Sequence, residues 1–213
     1  MVSGIVGGHP PAGDPKGDAM DQPQNAMDPI RFCFDERKAT AAAAVFLAEH
    51  GNRMPYMKLV KLLYIAEREC LRKRGRPVFG DEYFALPRGM VVSRVLDLIK
   101  REGDPLVETS GIWSGHITKQ GYNVTLAAPP DLGCLSDSEM DTIREIAGVF
   151  RTLDQWQLGD FTHALPEYRD PGSSSLQISP DDILRALAKS DEEVEEIRED
   201  AIERKHFDSI FGV

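Results

Sequence analysis

The chain has 213 residues, 41% hydrophobic and 28% charged, with 35 acidic side chains against 25 basic ones and a formal net charge of −10. These values fit one globular domain with appendages. They exclude a bilayer-spanning helix, since no apolar run approaches about 20 residues, and they weigh against nucleic acid, whose binding needs a positive footprint to replace phosphate counterions.

Residues 1–27 are rich in Gly, Pro, Asp and Gln. Such a segment buries too little to offset the entropy of ordering, so it reads as a disordered leader, with residues 28–213 as the domain. Met27 is a candidate natural start. The leader has no basic region followed by a continuous apolar stretch, so it does not read as a signal peptide. Cys33, Cys70 and Cys134 are odd in number and widely spaced, which suits free thiols in a reducing cytoplasm.

The first helix is expected over Asp35–His50, capped by Asp35 and stopped by Gly51. The second begins near Pro55 and ends at Gly75, with Leu59, Leu62, Leu63, Ala66 and Cys70 as one buried stripe. Tyr83–Leu86 reads as a short extended piece before Pro87. "VVSRVLDLIKREG" suggests a third helix with Val92, Val95, Leu96 and Ile99 inward. "GHITKQGYNVTLAA" reads as a β-hairpin turning at Gln120-Gly121. Ser136 and Glu139 form a capping box at the head of the next helix. A short helix follows over Gln155–His163, then a loop through "LPEYRDPGSSS". Ser179 with Pro180 opens another helix, and Ser190 with Glu193 opens the acidic last one, whose inner side is Val194, Ile197, Ala201 and Ile202. The fold class is mostly α (α+β): a compact helical domain with one small β-hairpin, and helices followed by a hairpin allow a winged-helix-like element.

Arg68, Arg72, Lys73, Arg74 and Arg76 form a basic cluster. Glu67 and Glu69 are interleaved with it, so a solvated helix end that complements the macrodipole explains it better than phosphate contact does. The histidines show no metal-ligand spacing and no CxxC is present. Phosphate-cradling glycine motifs and a nucleophile elbow are missing as well. Cys70 lies in an apolar stripe and reads as structural. His163, at a helix end before "ALPEY", has no local acid or nucleophile to complete a catalytic set. The reading is therefore non-enzymatic, with no catalytic residue, metal or cofactor.

The stretch "FDERKATAAAAVFLAEHGNRMPYMKLVKLLYIAERECLRKRGRPVFGDEYFALPRGMVVSRVLDLI", followed by "LSDSEMDTI" and "THALPEY" in that order, resembles the Panacea domain family of SocA-like, phage-associated antitoxins over roughly Phe34–Ile197. Two positions depart from it. The family commonly has Pro where Met90 stands, and Trp where Tyr168 stands; Met90 restores a backbone N–H. The resemblance implies an antitoxin of a bacterial or prophage toxin–antitoxin pair, neutralising a cognate protein toxin by direct binding. It also implies an ATP-dependent protease as a partner if the chain acts, like SocA, as a proteolytic adaptor. A DNA-binding regulator of its own operon is the alternative. The turn Arg88-Gly89-Met90 and the loop from His163 to Tyr168 are the expected partner-binding surfaces, because both interrupt regular structure with Gly or Pro, and Arg and Tyr are favoured interface anchors.

Overall fold

The computed structural model describes residues 29–101 and 111–211. The expected leader, with its candidate start at Met27, lies outside the described residues.

Helix α1 spans Glu36–Glu49, and the Asp35 carboxylate accepts from the Lys38 amide at its head. Its buried alanines, Ala41 to Ala44, let α2 and α4 approach closely. Gly51 and Asn52, with φ of 77° and 64°, turn the chain into β1 (Arg53–Pro55). Helix α2 spans Tyr56–Arg74 and stops at Gly75 in the left-handed region, as expected. It is more than amphipathic. Every residue from Lys58 to Glu67 is buried, the condition of a helix enclosed on all sides. It touches α1, α3, α4, α5, α6, β1 and β3.

The next segment corrects the sequence reading. Gly89–Val92 is not the start of a helix but strand β3, paired antiparallel with β2 (Tyr83–Leu86). Helix α3 begins only at Ser93 and runs to Arg101. Its cap is remote: Asp81 accepts from the Arg94 and Val95 amides at 2.7 and 3.0 Å. A second strand hides in the "LPEYRDPGSSS" region's continuation. Leu176–Ile178 (β6) pairs with β2, giving the order β3-β2-β6.

The expected hairpin is present as β4 (Ile117–Gln120) and β5 (Asn123–Leu126), but Gln120 pairs with Asn123 and the turn is Gly121-Tyr122, one residue later than expected, with Gly121 at φ 62°. It is joined by β1 in the order β1-β5-β4. The fold thus holds two three-stranded sheets rather than one hairpin. A strand between the first two helices that pairs with a later hairpin is winged-helix connectivity, here with β2–β3 inserted before α3.

Four more helices complete the described chain. In α4 (Asp137–Val149) the Ser136–Glu139 capping box is formed as expected. In α5 (Gln155–His163) Asp154 and Gln157 form another. Ser179 caps α6 (Pro180–Ala186), and Ser190 with Glu193 caps α7 (Asp191–Phe211). On α7, Val194 and Ala201 are buried, but Ile202 is 63% exposed and does not belong to the inner side. Arg198 pairs with buried Asp181, whose other oxygen accepts from the Ile30 amide. The fold is mostly α with small antiparallel sheets, as the sequence suggested.

Glu67 does not lie among the solvated charges of the α2 terminus. It is fully buried and its carboxylate collects five donors. The amides of Val78, Phe79, Gly80 and Asp81 reach it at 2.7, 2.9, 3.0 and 3.3 Å, and the Tyr83 hydroxyl at 2.9 Å. Burial pushes its carboxyl up to about 7 against the pull of these donors. The basic cluster is also more constrained than a solvated helix end. Lys73 reaches Glu145 and Arg74 reaches Glu139 on α4, while Arg76 reaches Asp200 on α7.

Replacing Glu67 by Ala strands four buried amides and a hydroxyl. Unpaired buried donors and broken buried networks cost about 3–5 kcal/mol. Urea denaturation should show a loss of that order for Glu67→Ala, whereas Glu69→Ala, which removes a surface pair, should lose no more than about 1 kcal/mol.

Candidate partner-binding surface

The two segments expected to bind a partner are neighbours. The β2–β3 turn lies against α5 so closely that a Cβ on Gly89 would come 2.2 Å from Thr162 Oγ1. Gly89 also has a φ of 103°, so both space and backbone conformation require glycine there. The Thr162 hydroxyl donates to the Gly159 carbonyl and accepts from the Met90 amide at 3.2 Å. That amide is the one a proline at position 90 would lack. On the far side of the turn, the Tyr168 hydroxyl donates to the Leu86 carbonyl at 3.3 Å.

The five expected residues divide by depth. Arg88 and His163 are exposed and Tyr168 is half-buried. Met90 is fully buried, and Gly89 is buried beneath the turn. The last two shape the surface from below and present no side chain at it. The rings of His163 and Tyr168 stack with centroids 4.4 Å apart. Arg88 lies over the ring of Trp156, 4.7 Å from its centroid. Trp156 is 53% exposed and was not among the expected residues. It stands one residue inside the capped start of α5, where no periodic pattern singles it out. Arg88, Trp156, His163 and Tyr168 together make a rim of aromatic rings and one guanidinium, the composition favoured at protein interfaces.

Two buried groups beneath the rim were also missed. Glu167, inside the "LPEY" loop, accepts from the Tyr64 hydroxyl at 2.7 Å and from Arg68 Nε at 2.6 Å, pinning the loop to α2. Arg68 is therefore committed to a carboxylate of its own fold. Lys61 is the other. It is 1% exposed, and its Nζ is buried with no hydrogen-bond partner among the described residues. Its chain end lies by Gly159, where an added Cβ would meet Lys61 Cε at 3.7 Å and the Arg88 carbonyl at 3.2 Å. Burial, reinforced by the Arg88 cation, lowers its ammonium to about 8. A groove of about 880 Å³ between the segment around Phe32–Lys38 and α7 is lined by none of these residues. Among the described residues no cluster of His, Cys, Asp or Glu could hold a metal ion, and no helix is long and apolar enough to cross a membrane.

Lys61 makes a signed prediction. Its folded value lies below the ordinary 10.5, so between about pH 8 and 10.5 the folded state has released a proton that the unfolded chain still holds. The contribution of Lys61 to stability therefore rises with pH across that window, by up to about 3 kcal/mol, while buried Cys70, Tyr64 and Tyr83, whose values burial raises, act in the opposite direction. Lys61→Met should be more stable than the wild type at pH 7 by about 1–3 kcal/mol and should lack the alkaline rise, as read by urea denaturation at pH 7 and pH 10. By contrast, Gly89→Ala meets both a hydroxyl and an unfavourable φ. It should lose about 2–4 kcal/mol in the same assay.

Residues 59–168 match the family described as antitoxin SocA-like, Panacea domain. Neither a curated protein nor a solved structure matches the chain. The matched span runs from the first turn of helix α2 to Tyr168, and so contains Lys61, Glu67, the β2–β3 turn, α5 and Glu167. The chain belongs to the SocA-like antitoxin family and carries its Panacea domain.

Proposed function

We propose that this protein is an antitoxin that neutralises one cognate protein toxin by direct contact through the rim of Arg88, Trp156, His163 and Tyr168. Family membership supplies the antitoxin role. The observation that carries the surface is the convergence of the β2–β3 turn and the α5–Tyr168 segment into one patch, with an exposed tryptophan beneath an arginine. Buried Gly89 and Met90 set the height of that patch through Thr162. Bound toxin is held inactive or passed to an ATP-dependent protease; both routes begin with the same contact.

The reading as a DNA-binding regulator gains little support. Arg68, Arg72, Lys73, Arg74 and Arg76 all face carboxylates of the same chain. On α3, the helix a winged element would offer to a groove, Arg94 pairs with Glu82 and Arg101 with Asp97. Such cations are poorly placed to replace counterions on phosphate. A catalytic role for His163 is not supported either, since its ring is stacked on Tyr168.

Co-expression with the product of the adjacent gene tests the proposal. Cells expressing that product alone should stop growing, and the wild-type protein should restore growth. Arg88→Ala and Trp156→Ala should each weaken binding at least about tenfold, the effect of removing an interface anchor, with urea midpoints unchanged. A neighbour that is harmless, or that stays toxic beside the wild-type protein, overturns the reading.

A further inference from the structure

We propose that Lys61 and Arg88 form a receptor for a single carboxylate side chain of the protein partner. This rests on the surface proposed above and specifies its chemistry. A buried ammonium normally keeps a carboxylate or several carbonyls around it, because an uncompensated charge away from water is costly. Lys61 Nζ has neither among the described residues, and the charged group acting on it is a second cation, Arg88. The other buried charges among the described residues have partners: Glu167 pairs with Arg68, Glu139 with Lys38 and Asp181 with Arg198, Glu67 and Asp81 accept from backbone amides, and Lys58 donates to the Arg151 carbonyl. Lys61 is the exception among them.

Its place explains what would complete it. The end of Lys61 and the Arg88 carbonyl converge on the bare Cα of Gly159. The Arg88 side chain lies outward on Trp156, at the exposed rim. An anion entering at the rim meets Arg88 first and, once the guanidinium swings off the indole, reaches Lys61 behind it. Two cations on one carboxylate give a charge-assisted pair inside a low-dielectric site. The source is a protein rather than a free polyanion. The chain carries a net charge of −10, which repels nucleic acid at long range, and the exposed Trp156 beneath Arg88 is an anchor suited to a protein face. A docked partner also presents its carboxylate at high effective concentration.

The probe is sodium acetate, exchanged against sodium chloride at constant ionic strength and pH 7, with the lysine Cε signals of the full chain followed by NMR. Lys61→Met identifies the Lys61 signal. That signal should move and saturate with a half-point on the order of tens of millimolar, other lysines should not follow it, and Arg88→Ala should weaken the response at least threefold. A signal indifferent to acetate shows that water fills the site, and the proposal fails. Inorganic phosphate binding ten times more tightly than acetate assigns the receptor to a phosphate group and also overturns it. In the growth assay, Lys61→Met should lose neutralisation at least tenfold although it is the more stable protein; undiminished neutralisation sinks the proposal. Should the wild-type protein itself fail to neutralise, the toxin-binding reading falls, while the acetate titration still decides the receptor.

Discussion

One carboxylate organises the middle of this fold. Glu67 stands on a helix enclosed on all sides and gathers four consecutive amides from a segment that has no secondary structure of its own. Without it those amides would face apolar walls with no acceptor, which buried backbone does not tolerate. The same carboxylate takes the Tyr83 hydroxyl and so fixes where β2 begins. Asp81, the last residue of the bound segment, then caps α3 from outside. Helix, loop, hairpin and following helix are positioned in sequence from Glu67 and, through the loop it binds, from Asp81. At Gly80 the loop runs so near the Cys33 carbonyl that a Cβ would sit 2.5 Å from it, so the strand-like segment ahead of α1 is held by the same arrangement.

Where local chemistry decides structure, the sequence was readable. Asp35, Ser136 and Ser179 satisfy the free amides of helix starts within three residues of themselves, and Gly75 ends α2 in the left-handed region. The β4–β5 hairpin turns at a glycine that its pattern predicts. Long-range partners were not readable. β6 is three residues long and becomes a strand only because β2, more than ninety residues earlier in the chain, offers its edge. β3 ends in two β-branched valines that suit a strand, and the helix after it begins late because the cap that starts it comes from Asp81. Periodicity assigns α2 one buried stripe, but α4, α5 and α6 arrive from far along the chain and close its other faces.

The candidate surface divides in the same way. Arg88, His163 and Tyr168 stood out by residue type and by their Gly or Pro neighbours, and their two segments do meet. Met90 is buried because of Thr162 and α5, which no local pattern announces. Lys61 and Glu167 look like ordinary charges between apolar neighbours, and only the packing around them shows that one is paired and the other is not. Trp156 was overlooked because an exposed aromatic residue in a short helix carries no periodic signal.

The surface ring pairs have a further consequence. Arg88 already rests on Trp156, and His163 already stacks on Tyr168, whose hydroxyl is anchored to Leu86. The rings of His163 and Tyr168 are therefore restrained before any partner arrives, while Arg88 rests on the indole until an anion draws it off. Freezing such side chains on association ordinarily subtracts about 0.5–1.5 kcal/mol each from affinity. A preorganised rim escapes much of that loss. It can discriminate between partners by shape over a small contact area.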